Sequence, residues 1–228
     1  MMRIVEFVKK NKTIWILGIF MGILFSGMNA LGRYFNGAVS EGLPGILTTF
    51  ALWFPVAFGV STLLLAGIRR GTDWISGTWL EKRCEEILSG KRSFWIGWGA
   101  LFLLWLPALL ASWPGVYVID NVFQVQWFLE GNVSAHHPIL HTYILGFCME
   151  AGKKIFDSYE AGLGVYSVGQ MLILSGLFSY TVYVLGGRLA GIFRLVCLLL
   201  YACMPYHAVS SFTATKDILF SGFFLILV

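Results

Sequence analysis

Apolar runs of membrane-spanning length alternate with short polar connections along most of this chain. The first run, Thr13 to Leu31, meets the roughly 20 residues needed to cross hydrocarbon. A second occupies Pro44 to Ile68 and a third Ser93 to Trp113. Later runs cover Ala161 to Gly186 and Leu189 to Met204, and a sixth begins at Asp217. Helices are the only open-ended elements that satisfy their own backbone in lipid. The pattern therefore predicts an all-α, polytopic transmembrane protein. The sixth run reaches Val228 still apolar, which predicts that the sequence is the N-terminal part of a longer chain.

One stretch breaks the rhythm. Between Trp113 and Thr142 the chain carries an isolated acid, Asp120, with Gln124, Gln126 and three histidines, His136, His137 and His141. Trp113-Pro114-Gly115 opens it with a turn signal, since proline presets φ and glycine accepts positive φ. Asp120 is placed to cap a short helix from Asn121 to Glu130, and that helix suits a membrane surface. The run that follows, Ile139 to Ala151, is about thirteen residues long and contains His141, Thr142 and Glu150. Segments of that length lie at an interface more often than they span. We therefore expect a juxtamembrane helical external loop here.

Charge sets the orientation. Charged residues make up 12% of the chain and apolar ones 57%, whereas soluble domains carry about 25% charged residues. Arg3, Lys9, Lys10 and Lys12 precede the first run, and the 69–92 segment is the densest basic connection. Basic residues flank spans on the cytoplasmic side, so the N-terminus is expected in the cytoplasm and the Asp120 stretch outside. Residues 1–92 then form two N-terminal transmembrane helices and a basic cytoplasmic loop, and 93–228 begin a second module. Within the loop, Trp74 to Leu88 is expected to be a solvated connector, with an amphipathic helix on the inner leaflet as the alternative. The formal charge of +4 follows from such loops, and no basic-aromatic patch argues for nucleic acid. Four cysteines form no CxxC pair, and most sit inside apolar runs, where cysteine acts as a small hydrophobe.

On this topology Asp120, Gln124, His136, His137, His207, Lys216 and Asp217 fall on one side. Ionisable groups at membrane depth are costly and tend to mark sites or pathways. Each also has a plain structural reading: a helix cap for Asp120, an exposed loop pair for the histidines, and a snorkelling pair for Lys216 and Asp217. A possible divalent metal is left open, because two adjacent histidines are a weak metal signature.

Asp120, then His137-Pro138-Ile139-Leu140, then Lys216-Asp217 after a polar loop, resembles the GT-C membrane glycosyltransferases. The protein O-mannosyltransferases and aminoarabinose lipid A transferases exemplify that superfamily. The sequence departs from the mannosyltransferase pattern in Asn121 and in His136-His137-Pro138, and looks closer to an uncharacterised bacterial branch. The likeness covers about Phe94 to Val228. It implies an enzyme of the bacterial plasma membrane that moves a sugar from a polyprenyl-phosphate carrier to an extracytoplasmic acceptor. Asp120 would be the catalytic base. Gln124, His136, His137, Lys216 and Asp217 would bind substrate, and membrane lipids would be the other partners. A non-catalytic transporter or lipid-handling subunit using the same polar loops is the alternative.

Overall fold

The computed structural model describes residues 11–38 and 42–227. Arg3, Lys9 and Lys10, on which part of the orientation argument rests, lie outside the described residues, as do the 39–41 part of the first connection and Val228. The chain divides into two compact units, Met1–Ser76 and Gly77–Val228.

The first unit is a hairpin of two long helices, α1 (Lys12–Phe35) and α2 (Gly42–Ile75). The buried face of α1 is Gly18, Gly22, Ser26 and Ala30, one small residue per turn. Without a hydrophobic drive between helices in lipid, close backbone approach supplies the packing energy, and small residues permit it. A Cβ on Gly18 would sit 2.4 Å from the Thr62 hydroxyl, and one on Gly22 3.1 Å from Phe58. Arg69 donates to the Asn11 side-chain carbonyl at 3.2 Å and ties the helix ends together.

The second unit holds α3 (Trp79–Ile87), α4 (Gly90–Ala111), α5 (Ile119–Leu129), α6 (Ile139–Phe156), α7 (Tyr159–Val184), α8 (Gly191–Cys203), α9 (Pro205–Ser211) and α10 (Lys216–Leu227). Two short strands, β1 (Val116–Tyr117) and β2 (Thr213–Ala214), pair in parallel. The hub is α7, with 61% of its apolar window buried against 22% for α4. The inner face of α4 repeats every fourth residue through Ser93, Gly97, Leu101, Trp105 and Leu109. It packs on Met171, Leu174 and Phe178 of α7 and Leu198 of α8. Polar pins fix the register: Ser179 donates to the Phe94 carbonyl at 2.7 Å, and the Trp105 indole to the Tyr201 carbonyl at 3.2 Å.

Among the described residues α1, α2, α4 and α7 are long and apolar enough to cross a membrane. The α8–α9 pair, bent by 61°, makes a fifth span if it is one unit. The protein is thus an all-α helical membrane protein, as the hydropathy pattern predicts. The 18-residue α6 is not among the spanning helices. It forms a hairpin with α7, and Gly152 and Gly162 allow near backbone contact: a Cβ on Gly152 would lie 2.1 Å from the Gly162 nitrogen.

The connector expectation for Trp74 to Leu88 does not hold. Its second half is α3, a docked helix with Cys84 and Leu88 buried. Thr78 caps it, accepting from the Glu81 amide at 3.3 Å. Glu81 in turn caps α8, accepting from the Gly191 and Ile192 amides at 2.6 and 3.0 Å. Arg194 is 1% exposed; it pairs with Glu85 and donates to the Leu88 carbonyl at 2.6 Å. Acids interleaved with the basic residues gave this segment a solvated look, yet two of them face inward onto the start of α8.

Candidate functional site

At the opposite end of α4 from α3, the chain turns through Gly115 into β1. Gly115 has φ +126°, and a Cβ there would lie 2.2 Å from the Ser167 hydroxyl and 2.9 Å from the Phe212 carbonyl. Only glycine fits this close approach. Val116 then donates to the Phe212 carbonyl at 3.1 Å, and the strand registers Val116 with Thr213 and Tyr117 with Ala214. Immediately after β1 the chain enters α5, and shortly after β2 it enters α10. The strand pair therefore sets two helix N-termini side by side, one carrying Asp120 and the other Lys216.

Helix α5 starts at Ile119, two residues before the predicted start, and its N-cap, Val118, offers no side-chain bond. Asp120 is consequently not a cap. Its carboxylate lies in the first turn, where the helix dipole favours negative charge, and accepts from the Lys216 ammonium at 3.2 Å. The same ammonium stands 3.4 Å from His137 Nδ1. Burial, followed by the Lys216 charge, holds the His137 imidazole below its ordinary pKa. A neutral ring with a free Nδ1 is the form that accepts from an ammonium. His137 is 7% exposed, whereas the side chains of Lys216 and Asp120 are 26% and 49% exposed. The triad is a rim site, open on the Asp120 side.

The remaining predicted residues separate. His136 is exposed at the edge, against the Trp127 and His137 rings with centroids 6.4 and 4.9 Å away. Asp217 accepts from the Thr215 hydroxyl at 3.3 Å, and its amide donates back to that oxygen, so it closes the first turn of α10. Gln124 is buried and faces α6. Asn121, beside Asp120, is fully buried, and neither amide atom of its side chain has a partner.

Gln124 belongs to a buried polar chain that the sequence reading did not assemble. Its amide end, Oε1, is 2.7 Å from His141 Nδ1 and 3.2 Å from the Thr142 hydroxyl. His141 Nε2 is 2.8 Å from the Tyr166 hydroxyl, which donates to Gln170 Oε1 at 2.8 Å. The Gln170 amide nitrogen faces three carbonyls, Ser210 and Ser211 at 3.2 Å and Thr213 at 2.7 Å. Counting protons orients the chain. Three carbonyls demand a donor, so the Gln170 nitrogen is fixed and its oxygen must accept from Tyr166. Tyr166 has one proton to give and therefore accepts from His141 Nε2–H. Burial pushes the His141 pKa down to about 4, so the ring is neutral and Nδ1 is an acceptor. The Gln124 amide then turns its NH2 to the ring, an O/N assignment fixed by the network. The available signal was Gln170, the one amide side chain between Ala161 and Gly186, four residues from Tyr166.

Among the described residues no group of three or more His, Cys, Asp or Glu is placed to hold a metal ion. The position between Asp120 and His137 is taken by the Lys216 ammonium, itself a cation, so the predicted residues do not fit a divalent metal.

These features define a helical membrane protein with a carboxylate–ammonium–imidazole site at one end of its bundle. A family of unknown function, DUF6020, has a model that matches residues 130–228. The match includes all four histidines, Tyr166, Gln170 and Lys216 but not Asp120. No curated protein and no solved structure matches the chain.

Proposed function

We propose that the protein is an integral membrane glycosyltransferase of GT-C type, moving a sugar from a polyprenyl-phosphate carrier to an extracytoplasmic acceptor. The observation that carries this reading is the Lys216 ammonium held 3.2 Å from Asp120 and 3.4 Å from His137 at the start of an apolar helix. A lipid phosphate needs a cation at the membrane surface with hydrocarbon beneath it, and Lys216 at the head of α10 offers both.

The chemistry assigns the groups. The acceptor oxygen attacks the anomeric carbon, and the bond from that carbon to the phosphate oxygen breaks. The pair of electrons leaves with the lipid phosphate, whose charge Lys216 stabilises. Asp120 takes the acceptor proton, within direct hydrogen-bond reach. Its Oδ2 is bonded to Lys216, and with the side chain 49% exposed an acceptor can reach the carboxylate. His137, with Nδ1 turned to the ammonium, carries its proton on Nε2 and supplies a second donor. The Asp120 end of the bundle faces out of the cell, and the α3 end faces the cytoplasm.

The test is retention of lipid by the purified full-length protein in nanodiscs, using polyprenyl phosphate and the uncharged polyprenol of equal length. Preferential retention of the phosphate is expected. Equal retention of both would remove the phosphate site and with it the glycosyltransferase reading.

A further inference from the structure

We propose that Gln170 is a positioning residue that sets Lys216 against Asp120, with Tyr166 and His141 orienting it. The proposal rests on the glycosyltransferase reading for its functional meaning, although its geometry stands apart from that reading.

Lys216 reaches Asp120 only if residues 210–215 follow one path, which the buried Phe212 and Ala214 anchor in the core and which the segment's own hydroxyls do little to impose. Ser211 and Thr213 spend their hydroxyls on the local carbonyls of Ala208 and Val209. The tertiary polar restraints come from elsewhere. The β1–β2 pair holds one side, the Ser167 hydroxyl reaches the Phe212 carbonyl at 3.5 Å, and the Gln170 amide gathers three carbonyls within four residues. Gln170 is 2% exposed. Removing it leaves those buried and part-buried carbonyls without that donor, and an acceptor left unpaired away from water carries its full desolvation penalty. The segment would move to find other donors, and Lys216, three residues past Thr213, would move with it.

The direction of the network adds specificity. A Gln side chain alone presents its amide either way round. Tyr166 removes that freedom by donating to Oε1, and it can do so only while His141 Nε2–H donates to the phenol oxygen. Three helices, α5, α6 and α7, thus set the donor end of one amide toward one loop. Helix propensity and core packing need none of these groups, and apolar residues would fill the same volume. The polar chain is retained in an otherwise apolar interior because it defines the loop path.

The test uses the full chain with its four native cysteines replaced. A crosslinking pair, Asp120→Cys with Lys216→Cys, reports their proximity through a short bismaleimide. Trp98→Cys with Gly176→Cys serves as the control on the α4–α7 contact. We expect Gln170→Met to slow crosslinking of the first pair at least tenfold and to leave the control pair at its parental rate. Tyr166→Phe, which removes the orienting proton without touching the loop, should slow the first pair by a smaller factor. Ser175→Ala, a loss on the same helix of a hydroxyl bonded only to its own backbone, should change neither. Parental crosslinking in both Gln170→Met and Tyr166→Phe overturns the proposal. So does equal slowing of both pairs in Tyr166→Phe, which would mean general loosening. Crosslinking reads geometry without lipid, so its failure leaves phosphate retention standing, and loss of phosphate retention leaves the crosslinking result intact.

Discussion

Lys216 and Asp120 are 96 positions apart in the chain, yet the ammonium lies 3.2 Å from the carboxylate. The pair is half open to solvent, and ion pairs in such places contribute about 0–1 kcal/mol to stability. Stability is therefore a poor reason for its geometry. Two parallel strands of two residues each and a buried amide are committed to holding it, which is a large structural investment for a weak bond. An ammonium that exchanges its carboxylate for an incoming phosphate explains the investment better.

This relationship separates the two members by experiment. Lys216→Met should unfold within about 1 kcal/mol of the parent and lose polyprenyl-phosphate retention, while Lys216→Arg keeps part of it. Asp120→Asn should retain the lipid phosphate and transfer sugar more slowly by a factor of about 10²–10⁴. Because Asp120 does not cap α5, the asparagine has no cap to preserve, and normal folding of this variant is a direct expectation. Lipid retention unchanged in Lys216→Met would make Lys216 a membrane-surface anchor. Parental transfer in Asp120→Asn would remove it as the base.

The Glu85–Arg194 pair makes a contrasting prediction. Arg194 is 1% exposed and Glu85 is 47% exposed, so the two partners tolerate loneliness differently. Glu85→Gln leaves a buried guanidinium without its counter-charge, at a cost of about 3–5 kcal/mol. Arg194→Met leaves a carboxylate that turns to water and should cost less. Chemical unfolding in detergent micelles orders the two variants, and the reverse order would mean that Arg194 gains its main support from the Leu88 carbonyl.

Much of the architecture was legible in the sequence because hydrophobic length is a direct signal in lipid. The runs from Thr13, Pro44, Ser93, Ala161 and Leu189 each contain or closely overlap an observed helix. The short, polar-bearing run from Ile139 is an 18-residue helix, longer than the thirteen-residue run suggests, and its charges leave it short of the composition of a span. What escaped depends on direction rather than length. Gly18, Gly22, Ser26 and Ala30 form a helix-packing face in plain view, but which helix they meet is a tertiary fact. Glu81 and Glu85 read as solvated because nothing local shows that they face α8. In the site, Asp120 and Lys216 were legible as isolated charges at span ends. Gln124, read as a substrate contact, is turned inward by its place on the buried face of α5 with Asn121 and Val125. No local pattern distinguishes a glutamine facing a ligand from one facing a histidine.

Orientation is testable with single cysteines on a background free of native ones. Asn132, exposed after α5, lies toward the Asp120 end, and Ser89, exposed between α3 and α4, toward the other. On intact cells Asn132→Cys should react with an impermeant maleimide, and Ser89→Cys only after permeabilisation. The opposite labelling would place Asp120 and Lys216 in the cytoplasm and confine any sugar donor to that side.

The buried relay predicts a pH dependence of stability with a definite sign. In the folded chain burial holds the His141 pKa at about 4, against about 6.5 for an unperturbed histidine. The unfolded chain therefore binds the proton first as pH falls. Stability from the neutral ring is complete above about pH 6.5 and is lost progressively down to about pH 4. The full difference is of the order of 3 kcal/mol at about 1.4 kcal/mol per pH unit. His137, depressed by burial and by the Lys216 charge, adds to the loss in the same direction. Unfolding free energies measured from pH 7.5 to 4.5 should thus fall more steeply in the parent than in His141→Gln. The comparison is best made in a His137→Gln background, so that one titration is removed. A parallel decline in the two chains would show that His141 takes up its proton at the same pH folded as unfolded, and so is an imidazolium at the low end of the range. Tyr166 would then accept from an imidazolium whose Nδ1–H faces the Gln124 oxygen, and the orientation assigned to Gln124 would reverse while that of Gln170, fixed by its three carbonyls, would stand.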